Sequence, residues 1–147
     1  MRIRALQLLA FVPPLALAAC CDDSACLSSV ELTVSEPGGA RGSDYRFDAV
    51  VDGVAWTIHC TRVGAGACAT TADPPRASAF ASSVVGSEAI VLRLESRRPG
   101  APIPLAVTVD GVSRAEQVVM PVAEPIRLHG PTCGPSCERG IATVALP

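Results

Sequence analysis

The residues with the clearest capacity for chemistry lie near the C-terminal end of the chain. His129, Cys133 and Cys137 follow one another at intervals of four residues, among glycines and prolines. One imidazole and two thiolates could hold copper or zinc. Oxidation of the two cysteines would remove both thiolates and leave a disulfide-stapled turn. We therefore expect a disulfide turn and no cofactor, and keep a copper or zinc site at these three residues as the alternative.

The sequence carries no signature of catalysis. It has no G-x-S-x-G nucleophile elbow, no phosphate-binding glycine loop and no H-E-x-x-H zinc motif. His59 and His129 are its two histidines, and no activated serine pattern accompanies either of them. We therefore predict that the protein is not an enzyme.

The beginning of the chain has the pattern of a secretion signal. Arg2 and Arg4 precede an apolar run over residues 5–16, which is shorter than the roughly 20 residues that span a bilayer. The run leads into Leu17-Ala18-Ala19-Cys20, the pattern of a lipobox, in which the cysteine thiol accepts the lipid. We predict a lipoprotein signal peptide over residues 1–19 and lipidation of Cys20.

The number of cysteines supports lipidation over simple secretion. Cleavage at the alternative A-x-A site, Ala16-Leu17-Ala18, would leave seven cysteines, an odd number for an oxidising compartment. Lipidation of Cys20 leaves six candidates for disulfides, namely Cys21, Cys26, Cys60, Cys68, Cys133 and Cys137. Cys60 and Cys68 flank a glycine-containing turn and are the favoured pair. The other four could pair locally or across the two ends of the domain.

The elements that must position these residues have the period of β-strands. Apolar and polar residues alternate over 30–34, 45–51, 56–60 and 90–94. Asp-Gly at 52–53 and again at 110–111 predicts type I′ hairpin turns. Val118 and Met120 are expected on the strand that leaves the second turn. Residues 73–87 fit either a helix starting at Asp73 or a strand, and the surrounding strands favour the strand.

This pattern predicts an all-β protein. We expect an antiparallel β-sandwich, immunoglobulin-like or transthyretin-like, with about seven to nine short strands. Residues 20–28 are predicted to be the lipidated cysteine and a short tether. Residues 29–147 are predicted to form a single β-sandwich domain.

Several segments resemble a group of uncharacterised bacterial lipoproteins. The resemblance covers the signal and about the last forty residues of the chain. The residues that carry it are the lipobox, Asp110-Gly111, Gly130-Pro131 and Cys133-Gly134-Pro135-Ser136-Cys137. It implies a transthyretin-like or immunoglobulin-like sandwich. It implies no activity, so no functional residue follows from it.

Charge and location narrow the range of partners. Loss of Arg2 and Arg4 with the signal changes the formal net charge from −2 to −4, which disfavours nucleic acid. We predict a membrane-anchored protein of the cell envelope, bound to membrane lipid and to an envelope protein or ligand. The outer membrane is favoured, because Cys21 stands where an Asp would direct retention at the inner membrane. The predicted role is a non-catalytic structural, adhesive or binding module, with envelope metal binding as the alternative.

Overall fold

The computed structural model describes residues 27–36, 42–63, 67–75, 80–83, 89–126 and 137–147. Within these ranges the chain forms ten strands and no helix, and accordingly no helix there could cross a membrane. The all-β prediction is confirmed, with slightly more strands than expected. The strands are β1 (Ser29–Ser35), β2 (Asp44–Val51), β3 (Val54–Val63), β4 (Ala67–Asp73), β5 (Phe80–Ser83), β6 (Ala89–Glu95), β7 (Ile103–Val109), β8 (Val112–Val119), β9 (Val122–Ile126) and β10 (Cys137–Ala145).

The ten strands form a β-sandwich of two five-stranded sheets. Sheet A has the order β5-β6-β1-β10-β9, and sheet B has the order β4-β3-β2-β7-β8. Neighbouring strands are antiparallel except for β1 and β10, which pair in parallel. Along one side of the sandwich the sheets meet where the Thr70 hydroxyl in β4 donates to the Ala81 carbonyl in β5 at 2.8 Å.

The core lies between the sheets and follows the alternation of the sequence. In β1, every second residue is buried, and the other strands of the core repeat this pattern. Burial of each large apolar side chain stabilises the fold by about 1.5–3 kcal/mol. The largest fully buried apolar side chains come from both sheets and include Leu32, Phe47, Ile58, Leu92 and Leu105.

Both Asp-Gly pairs form the predicted hairpin turns. Asp52 and Gly53 have φ values of 53° and 80°, and Asp110 and Gly111 have φ values of 49° and 80°. Positive φ at both central residues is the mark of a type I′ turn. The two turns connect β2 to β3 and β7 to β8.

In the ambiguous stretch over residues 73–87, Asp73 and Phe80–Ser83 are strand, and Pro74 and Pro75 are irregular. Asp73 ends β4 and pairs with Thr57 of β3, so a helix starting at Asp73 is excluded. Phe80–Ser83 is β5, which pairs antiparallel with β6, and the favoured strand is confirmed there. Residues 76–79 and 84–88 lie outside the described ranges.

The two ends of the sandwich are formed by different turns and connections. We call the end at which β1 begins the lower end. There the Ser96 amide donates to the Ser28 carbonyl at 3.0 Å, and the Asp52 side chain accepts a hydrogen bond from the Arg97 amide. We call the opposite end, which holds the Asp110 turn, the upper end. The described part of the chain begins at Leu27, at the lower end.

Candidate functional site

The outer face of sheet B contains an apolar depression of about 520 Å³. One-sided sheets usually present polar residues to solvent, whereas Val50, Ala55 and Pro104 face outward here beside polar side chains. Val118 is 61% exposed. We name this surface the sheet B depression; its apolar side chains are Val50, Ala55, Pro104, Ala106 and Val118.

Two carboxyl groups stand on the rim of the sheet B depression. In the register of the sheet, Ala106 lies between Asp48 on β2 and Glu116 on β8. Two strand spacings separate the two acidic residues by roughly 10 Å. The small side chain of Ala106 leaves the space between them open. The depression therefore offers an apolar floor with negative charge on two sides.

Asp48 is held in place by its neighbours. The Arg46 Nε donates to Asp48 Oδ2 at 2.9 Å, and the Thr57 hydroxyl donates to Asp48 Oδ1 at 2.6 Å. Partial burial opposes ionisation of Asp48, but these two hydrogen bonds outweigh it and keep the pKa of Asp48 below its usual range. Such a carboxylate is a fixed charge and a poor proton donor or acceptor near neutral pH.

A second, polar depression of about 340 Å³ lies on the same face, closer to the upper end. Asp44, Arg46, His59 and Thr108 line it. His59 points outward here while Cys60 is fully buried, as strand alternation requires, so the two cannot share a metal. Among the described residues, no three His, Cys, Asp or Glu side chains are placed to hold a metal ion.

The favoured disulfide is present. Cys60 on β3 is bonded to Cys68 on β4, with the two Cα atoms 5.1 Å apart. Cys137 is also disulfide-bonded, and its partner lies outside the described residues. A disulfide sulfur is not a thiolate ligand, so Cys137 in this state cannot serve the copper or zinc alternative. The other predicted residues, namely Cys20, Cys21, Cys26, His129 and Cys133, lie outside the described ranges.

A buried polar cluster at the upper end was not anticipated. The Tyr45 hydroxyl donates to Glu36 Oε2 at 2.6 Å, and both residues are buried. The guanidinium of Arg62 lies 5.1 Å from the centre of the Tyr45 ring, within cation–π range. Glu36 continues the series of inward-facing residues on β1, and Arg62 continues that on β3. The alternation of the sequence could therefore have predicted that both side chains face inward.

Burial makes Tyr45 an unusual acid. Desolvation, together with the hydrogen bond to Glu36, raises the pKa of Tyr45 to about 12. The cluster lies inside the fold, where Tyr45 is 1% exposed and Glu36 is 5% exposed, and its hydrogen bond stabilises the fold. No protein-family model, curated protein or solved structure matches the chain.

Proposed function

We propose that the mature protein is a lipid-anchored protein of the cell envelope that acts as a non-catalytic binding module. Its anchor is lipid on Cys20, and its binding surface for an envelope protein or ligand is the sheet B depression. The observation that carries the second half of this proposal is the exposed apolar floor formed by Val50, Pro104 and Val118 on the outside of the sandwich.

Two observations support the location. The lipobox ends at Cys20, directly after the apolar run over residues 5–16 and Leu17-Ala18-Ala19. The Cys60–Cys68 disulfide is typical of an oxidising compartment outside the cytoplasm. We assign the protein to the outer membrane on the identity of the residue after Cys20, which is Cys21.

The chemistry of the depression favours one kind of partner. Asp48, on one side of Ala106, is ion-paired with Arg46, and Glu116 is exposed on the other side. Apolar side chains flanked by basic ones would bury the floor and complement the carboxyl group of Glu116. We therefore propose a polypeptide partner that presents an apolar segment with basic residues beside it.

The test compares two exposed valines on the same strand. Val118 lies in the depression at one end of β8, and Val112 lies at the other end beside the upper turn. The lipidated protein is cross-linked in its native envelope and captured together with its partner. We expect Val118→Asp to reduce capture by about tenfold or more, a loss of about 1.4 kcal/mol, while Val112→Asp leaves capture unchanged. Equal capture by both variants would remove the depression from the proposal.

A further inference from the structure

Three exposed apolar side chains lie at the lower end of the sandwich. Leu27 is 68% exposed, Val54 is 37% exposed and Met120 is 63% exposed. Leu27 immediately precedes Ser28, at the start of β1, and Val54 follows the Asp52–Gly53 turn. Met120 follows Val119, the last residue of β8. These three side chains therefore come from three separate segments at the lower end, where the described part of the chain begins.

Met120 is placed at the lower end by the pairing of its neighbour. Val119 pairs with Ile103, the first residue of β7. The backbone around Gly100, which leads into β7, lies close to Pro121 and Ala123. The link from β8 to β9 therefore lies beside the link from β6 to β7.

Basic side chains stand next to these apolar ones. Arg97 is exposed and has no carboxylate partner among the described residues. Arg98 is also exposed and approaches Asp52 at 3.4 Å, an interaction that solvent weakens. Glu138, exposed at the start of β10, is an opposing charge. A guanidinium with no carboxylate partner is suited to lipid phosphate.

The tether restricts how far the lower end can move from the membrane. Six residues lie between Cys20 and Leu27, and the seven Cα-to-Cα steps from Cys20 to Leu27 span at most about 25 Å. A short tether holds its cargo at an effective concentration in the millimolar range. A surface that binds lipid weakly by itself would therefore be occupied for most of the time.

We infer that the lower end of the sandwich docks onto the bilayer that holds the anchor. This inference rests on the proposed lipid anchor at Cys20. Leu27, Val54 and Met120 enter the boundary between headgroups and acyl chains, and Arg97 contacts the phosphate of an anionic lipid. Docking directs the upper end away from the membrane and leaves the sheet B depression at the side, where an envelope partner reaches it.

Hydrogen exchange of the acylated full chain tests this orientation. The protein is produced with its signal and placed in vesicles of phosphatidylethanolamine and phosphatidylglycerol, with detergent-solubilised protein as the reference. We expect amide exchange in the peptide around Asp52–Val54 to slow about tenfold in vesicles. If the lower end is docked for about nine-tenths of the time, these amides are accessible to solvent for only about one-tenth of it. The same turn at the upper end, Asp110–Val112, should exchange at equal rates in both.

The two similar turns also provide the control variants. Val54→Asp combined with Met120→Asp should abolish the slowing at the lower turn, while Val112→Asp, at a residue 59% exposed at the upper end, should leave it intact. An acylated protein whose two turns exchange alike in vesicles and detergent would overturn docking alone. A mass spectrum of the same sample without an acyl group on Cys20 would overturn the proposed anchor, and docking with it.

Discussion

Tyr45 shows how a single buried hydroxyl ties the stability of this protein to pH. Its hydroxyl donates a hydrogen bond to the buried carboxyl group of Glu36 at 2.6 Å. The Gly42 amide donates to the same oxygen at 3.4 Å, which is a longer and weaker hydrogen bond. Loss of such a donor costs about 1–3 kcal/mol. The chain has one tyrosine and no lysine, so Tyr45 can be titrated without interference from other tyrosines or from amino side chains.

We predict that the absorbance of tyrosinate rises with a midpoint near the raised pKa of about 12 in the folded protein. The unfolded chain should show a midpoint of about 10. Because the folded pKa is the higher one, the stabilisation is complete below pH 10 and is lost as the pH rises through 12. A folded protein that titrates near 10 would contradict the buried hydrogen bond, and Tyr45→Phe should abolish the signal.

The sequence could have predicted that Glu36 and Arg62 face inward, but not that they meet Tyr45. Val30, Leu32 and Val34 are separated by polar residues, and Glu36 falls in the same inward phase. A charged residue at the end of such a series is ordinarily interpreted as the start of a loop, because burial of a carboxyl group needs a partner. That partner, Tyr45, is on another sheet, and pairing between sheets is not encoded in local alternation.

At the scale of elements, the close approach of the β6–β7 connection to β10 depends on one glycine. Gly140 is buried on β10, and a Cβ atom there would overlap the carbonyl oxygen of Pro99. Gly100, in the same connection, has room, because its Cβ would meet Ala123 at an ordinary contact distance of 3.5 Å. The two glycines therefore differ in the space available for a Cβ atom: Gly140 has none, and Gly100 has enough.

We predict that Gly140→Ala destabilises the protein by about 1–3 kcal/mol, as overpacking against backbone does. Gly100→Ala, the matched control, should change stability by less than about 0.5 kcal/mol. Denaturant unfolding of the two variants measures both values. Equal stability of the two variants would contradict a close contact between the backbone of the β6–β7 connection and Gly140 of β10.

Strands and turns were the elements that the sequence could predict. A period of two follows directly from having one buried face, and Asp-Gly at 52–53 and 110–111 specifies positive φ. The parallel pairing of β1 with β10 could not be predicted, because the two strands are separated by most of the chain. Residues 73–87 were ambiguous because their apolar positions fit both periods, and pairing with β6 decided for strand at Phe80–Ser83.

The sheet B depression could not be predicted for a related reason. Val50, Pro104 and Val118 lie on three strands, and only the register of the sheet brings them together. In addition, an irregularity between Val107 and Thr108 shifts the pairing of β7 with β8. That shift helps decide which residues of β8 face outward. Local patterns therefore identified the strands of the site but not the site.

At the scale of the whole molecule, the proposed anchor, the exposed apolar side chains and the depression share one orientation. The described chain begins at the lower end, the exposed Leu27 and Met120 lie there, and the sheet B depression opens to the side. Each feature has its own test. The proposed docking depends on the proposed anchor, whereas binding at the sheet B depression is independent of the anchor. A protein secreted without lipid would keep the fold and the depression but lose the orientation.

The most direct test of this account is mass spectrometry of the mature N-terminus, purified from the producing cell. We predict a chain that begins at Cys20 and carries a diacylglycerol thioether on it. Cys20→Ala should abolish acylation and leave the protein out of the membrane fraction, because the thiol accepts the lipid and acyl chains provide stable anchoring. An unmodified N-terminus at Ala19 would contradict the anchor and reduce the protein to a secreted β-sandwich.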